Sequence, residues 1–198
     1  MSTISYPTSS SPHLSLDQIS RATQYLVSTR DDLLQAAGIP DDSQWHFKPA
    51  PDCWSIAEIL EHLVLIEGRV HAVVGGMPDA PAASPDRMDS QVDKLILANV
   101  PSRSTKVQAP LPVTPSGRWS PAEARDLFIE NRARTVDLLA AAPSLRGHVL
   151  PHPLFGPWDG YQWILATAAH TARHTSQITE IKACSGFPEP QAAAVGLH

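Results

Sequence analysis

Cysteine is scarce in this chain. Cys53 and Cys184 are the only 2 among 198 residues, and they lie far apart, which excludes a disulfide scaffold. Long apolar runs are missing as well. Nothing approaches the ~18 consecutive apolar residues of a membrane span. Positive charge is not in excess: 15 Lys+Arg stand against 20 Asp+Glu, a net charge of −5, and no basic stripe offers itself to nucleic acid. The opening MSTISYPTSSSPH has neither a basic region nor an apolar core, so no secretion signal is expected. What these absences leave is a soluble, cytoplasmic globular chain, long enough for one compact domain and short for two.

Proline and histidine are what the chain has in quantity. The 19 prolines are about twice the usual share, and together with glycine they fence off four quiet stretches. The first, 16–37, places Leu16, Ile19, Thr23, Leu26, Leu33 and Ala37 near helical spacing, and Gly38 with Pro40 stops it. The second opens on a Ser55-x-x-Glu58 capping box. Ile56, Ile59, Leu60, Leu63, Ile66, Val70 and Val73 follow as one buried stripe, ended by Gly75, Gly76 and Pro78. The third opens on Ser120-Pro121-Ala122-Glu123, with Leu127, Phe128, Leu138 and Leu139 on its apolar side, and ends at Pro143. The fourth starts from Asp159 as N-cap and runs through 184 to the stop at Gly186-Phe187-Pro188.

Between the second and third stretches lies a long connection, 75–119. Met88, Val92, Leu95 and Ile96 predict one short helix inside it, and Lys106–Val113 is its nearest approach to a strand. The reading is all-α: an antiparallel four-helix bundle with one long crossover carrying a short extra helix. Residues 1–14 are expected to form an N-terminal tail, 15–186 the bundle and 187–198 a C-terminal tail.

Nine histidines carry the chemical signal, and two pairs are spaced i, i+4. His148 and His152 flank Pro151, so their spacing has no helical meaning. His170 and His174 sit inside a helix. With Trp163 and Ile181 they fall within roughly 20° of one direction, the middle of the face this helix buries. Two imidazoles one turn apart can reach one cation, and a neutral imidazole needs no proton loss to ligate near pH 7. A third ligand is expected from a facing helix. His62, between Ile59 and Ile66, is the candidate. Three nitrogens leave coordination positions open, as catalytic metal sites do. The plainer alternative is that the buried rings hydrogen-bond each other and the backbone.

Trp54-Ser55-Ile56-Ala57-Glu58-Ile59-Leu60-Glu61-His62-Leu63 resembles the second-helix signature of the DinB-like (DinB/YfiT) superfamily. His170-Thr-Ala-Arg-His174-Thr-Ser-Gln177-Ile178 resembles its last-helix signature, and His152-Pro153-Leu-Phe-Gly156 the segment that often precedes it. The resemblance spans about 16–185. It implies an up-down-down-up four-helix bundle, often a homodimer, in which His62, His170 and His174 hold a divalent metal ion, commonly zinc or nickel. It also implies relatives that are thiol-dependent transferases and isomerases. The open three-histidine set itself points to a metal-dependent transferase or hydrolase using water or a low-molecular-weight thiol on a small-molecule substrate. The alternative is a non-catalytic, metal-stabilised dimeric bundle or stress-associated binding module.

Other residues carry weaker readings. Glu58 either orients a ligand or simply completes its capping box. Gln177, one turn past His174, is either a partner of the ligand ring or an edge polar group. Asn131 and Thr135 line a pocket or mark a boundary, and Arg173 points about 80° away from the ligand face. His152 reaches the site or stays on a surface loop. Cys53 reads as a small packed residue. The five tryptophans seal bundle ends rather than build a substrate cage. A channel to the site is expected from the 99–119 and 148–158 loops. Metal affinity is expected to fall toward and below about pH 6.5, the ordinary range of histidine.

Overall fold

Capping chemistry sets where the helices begin. In the computed structural model, which describes residues 13–104, 108–141 and 144–190, the side chains of Ser15, Asp41, Ser55 and Asp159 each accept from the N3 backbone N–H, and each cap's own backbone N–H donates to the N3 side chain in return. These four reciprocal boxes start α1 (Leu16–Ala37), α2 (Asp42–His46), α3 (Ile56–Gly75) and α6 (Gly160–Lys182). Ser120 and Glu123 exchange the same pair of bonds ahead of α5 (Pro121–Ala141). The short helix foreseen in the connection is α4 (Asp89–Asn99), which packs on α6.

The chain is mostly helical. Among the four long helices, α1 packs against α6, α6 against α3, α3 against α5, and α5 back against α1. The apolar core falls into two clusters. One holds Leu26, Val70, Leu139, Trp158 and Ile164. The other holds Leu33, Ile56, Ile59, Leu60, Phe128 and Ile178. Each fully buried side chain of this size contributes roughly 1.5–3 kcal/mol.

A polar layer separates the clusters. Arg132, fully buried on α5, bonds Glu67 of α3 at 2.6 Å, the Leu26 carbonyl and Thr29 of α1 at 2.7 and 3.0 Å, and Thr171 of α6 at 2.6 Å. Thr135 donates to the other Glu67 oxygen, and His71 Nε2 meets Thr135 Oγ1 at 2.9 Å. One guanidinium thus touches all four long helices, each of its three nitrogens with a partner.

Several expectations need correction. On α1 Leu26, Leu33 and Ala37 are buried as expected, joined by Ala22 and Thr29, whereas Leu16 is 86% exposed and Ile19 and Thr23 are half-buried. On α5 the buried face is Ala124, Phe128, Arg132, Thr135 and Leu139, while Leu127 and Leu138 are half-buried. The strand foreseen over Lys106–Val113 is not there in its described part: Leu111–Val113 is a 3-10 turn, and 105–107 lie outside the described residues. A hairpin occurs elsewhere. β1 (Leu150–His152) pairs antiparallel with β2 (Gly156–Trp158), with Gly156 at φ 80° closing the turn. Proline sits in each of its strands, at Pro151 and Pro157, which hides the strand signal in the sequence. Of the two expected tails, residues 1–12 and 191–198 lie outside the described residues. Phe187 packs edge-on against Phe47 at 5.5 Å, and Gln44 donates to the Pro188 carbonyl.

Candidate metal centre

Helix α3 carries His62 on its buried stripe, between Ile59 and Leu63, with the ring 3% exposed. Helix α6 carries His170 and His174 one turn apart. Because α3 packs on α6, the three rings converge. Their centroids are separated by 5.1 Å (His62–His170), 5.0 Å (His62–His174) and 4.5 Å (His170–His174). One ring nitrogen from each lies within 4.8 Å of the other two. The set foreseen from the sequence is the set the fold brings together.

Hydrogen bonds fix which nitrogen His62 and His174 offer. His62 Nδ1 donates to the Val113 carbonyl at 2.6 Å; a carbonyl only accepts, so Nδ1 holds the proton and Nε2 keeps its lone pair. His174 Nδ1 donates to Gln177 Oε1 at 2.9 Å, which leaves Nε2 of that ring as the second lone pair. His170 Nε2 lies 3.2 Å from His174 Nε2. Among the described residues its buried Nδ1 has no hydrogen-bond partner, as is also true of Arg125 Nε, Trp158 Nε1 and Trp163 Nε1.

The donor set fits a divalent cation. Two imidazole nitrogens each about 2.1 Å from one ion stand roughly 3.0–3.4 Å apart at right-angled to tetrahedral geometry. The His170–His174 pair has that spacing at 3.2 Å. Outward acceptors on His62 and His174 are the orienting contacts that metal-binding histidines ordinarily make. Burial also keeps the rings neutral. Desolvation pushes His62 down to about 4, against the opposing pull of the Val113 carbonyl. His170 and His174 are lowered well below the ordinary range, first by burial and then by their neighbouring imidazoles. A cation held here would therefore meet proton competition only below the ordinary histidine range.

Trp54 forms one wall, with its ring 4.7 Å from that of His62 and stacked at 6.1 Å on that of His174. Gln177 is a direct partner of a trio ring. Glu58 is not: it closes the capping box and pairs with Lys48 at 2.7 Å. Thr135 belongs to the polar layer, and the Asn131 carbonyl accepts its hydroxyl, so neither residue's contacts lead to the trio. Arg173 and Cys53 are half-buried and outside the trio. His152 is held in the hairpin, stacked on Trp158 at 3.9 Å and 5.1 Å from Trp163, and burial pushes it down to about 4.

Nothing in residue identity points to Val113, which acts through its backbone carbonyl 51 residues from His62. Trp54 had a signal that could have found it, an aromatic one residue before the Ser55 cap and two turns before His62.

Comparison with known proteins places the chain in a family. A family model of the DinB superfamily matches residues 25–178, a span containing all three histidines. The chain is 28% identical over 144 residues to the uncharacterized protein YuaE of Bacillus subtilis (strain 168), covering 71% of this chain and 85% of that protein. No solved structure matches it. The chain belongs to the DinB superfamily.

Proposed function

We propose that this protein binds a divalent metal ion, zinc or nickel, through His62, His170 and His174, and that it is a metal-dependent transferase or hydrolase acting on a small molecule. One observation carries the reading: three neutral imidazoles from two helices bring one nitrogen each within 4.8 Å of the others. An ion bound by three protein ligands has open positions, and it supplies Lewis acidity that lowers the pKa of a water or a low-molecular-weight thiol. The protein's own part is to keep the rings deprotonated by burial, to aim His62 and His174 through Val113 and Gln177, and to wall the site with Trp54.

The scaffold we read here is an up-down-down-up four-helix bundle. Core membership supports it: α1 and α6 run from the first apolar cluster into the second, while α3 and α5 run from the second into the first. Two parallel neighbours in the middle require the long crossover between them. The homodimer that the resemblance implies, and a location in the cytoplasm, belong to this proposal; no described helix is long and apolar enough to cross a membrane.

A second reading has its own support. The 3.2 Å His170–His174 contact also suits a direct hydrogen bond in a metal-free bundle. Cobalt substitution separates the readings. Visible absorption that changes on adding a thiol supports the enzyme, absorption with no exchangeable position supports a closed metal-stabilised bundle, and no absorption supports the metal-free one.

A further inference from the structure

Two consecutive residues of α3 reach the same incoming segment of the crossover, and one of them lies outside the histidine trio. His62 Nδ1 donates to Val113 O. Glu61, 3% exposed, accepts from the backbone N–H groups of Ser116 (2.9 Å), Gly117 (2.8 Å) and Arg118 (3.3 Å), and from the Ser116 hydroxyl at 3.4 Å. A buried carboxylate is costly unless donors fill its lone pairs. Here the donors come almost wholly from one turn of backbone, which makes the contact a clamp on that turn. Gly117, at φ +76°, gives the turn the shape that directs successive N–H groups at one carboxylate.

Val113 and this turn belong to one short run of chain, so the clamp fixes where the Val113 carbonyl lies. We propose that Glu61 is a positioning residue for the metal centre: by holding the 116–118 turn it keeps Val113 O on His62 Nδ1 and fixes that ring as the tautomer whose Nε2 is a bare lone pair. A neutral imidazole has one proton to place on two nitrogens, and without the carbonyl nothing pins it to Nδ1. The role assigned to Nε2 rests on the metal reading above; the tautomer is a property of the metal-free protein and is tested there.

The test uses the full chain, metal-free and labelled with 15N-histidine, with the His62 signals assigned by their loss in His62→Gln. Wild type is expected to show Nδ1 protonated and Nε2 unprotonated. Glu61→Gln keeps the side chain's size but turns one acceptor into a donor facing backbone N–H groups. Gly117→Ala disturbs the same contact from the other side, straining the positive φ while its Cβ meets nothing within 4 Å. Both variants are expected to move His62 to a mixture of tautomers and to leave His174, held by Gln177, unchanged. Zinc binding, measured with Zn2+ against a chromophoric chelator, is expected to weaken about 10- to 100-fold in both. A purely structural glutamate would lower stability without moving the His62 signals. If Glu61→Gln does not fold, Gly117→Ala, which lies outside the core, decides alone. His62 signals at their wild-type positions in the folded variants overturn the proposal, as does a wild type protonated at Nε2. Tautomer shifts in the variants with no zinc uptake by wild type leave the role of Glu61 standing and remove the metal reading.

Discussion

Two of the polar clusters that the described residues bury, the Arg132–Glu67 layer and the histidine trio, differ in how they end. The Arg132–Glu67 layer closes on itself: each guanidinium nitrogen has a partner, both Glu67 oxygens are used, and Thr29, Thr135 and Thr171 complete the set. The histidine trio does not close. Its outer contacts to Val113 and Gln177 are made, yet the inner nitrogens gather around one point and His170 Nδ1 has no partner among the described residues. A closed buried network specifies how helices meet. An open one leaves bonding capacity for something the chain does not itself supply.

The largest expected effect breaks the closed cluster. Arg132→Met leaves Glu67 buried and unpaired and is expected to lower unfolding stability by about 3–5 kcal/mol in a denaturant titration, with Arg132→Met/Glu67→Met recovering most of the loss. In metal-free protein His170→Leu should cost no more than about 1.5 kcal/mol, because the ring has at most the one contact with His174 Nε2 to lose and its Nδ1 has no partner among the described residues. Equal costs at the two sites would erase the distinction.

Next in size is a pH effect on the metal-free protein. His62 titrates near 6.5 in the unfolded chain and is pushed down to about 4 when buried. The unfolded state therefore binds more protons between these values. Stability is full above about pH 6.5 and falls as pH drops through that window toward 4, by on the order of 3 kcal/mol from this ring alone. Thermal unfolding from pH 8 to pH 4 checks it, and a flat profile contradicts it. The smallest effect sharpens the open cluster. Gln177→Ala removes the acceptor of His174 Nδ1–H and should weaken zinc binding about 10- to 100-fold, read by chelator competition, with the fold intact by circular dichroism.

The open cluster was the more legible of the two in the sequence. An i, i+4 histidine pair on a helix's buried face, facing a third histidine behind a Ser-x-x-Glu box, is a local pattern. The closed cluster was hidden because Arg132 reads as a surface residue, although its spacing from Phe128 and Leu139 puts it on their stripe. Glu61 and Glu67 carried the same unread signal, a charge among apolar neighbours on α3. Val113 could not be read at all, since a backbone carbonyl leaves no trace in residue identity. The hairpin escaped because proline stands where alternation would have been sought.

The central claim is that His62, His170 and His174 share one cation. Elemental analysis of the purified, zinc-loaded and desalted protein tests it directly, with His170→Ala treated in parallel. The account predicts about one metal ion per wild-type chain and close to none in the variant. Wild type without bound metal, or a variant that retains it in full, would contradict the account.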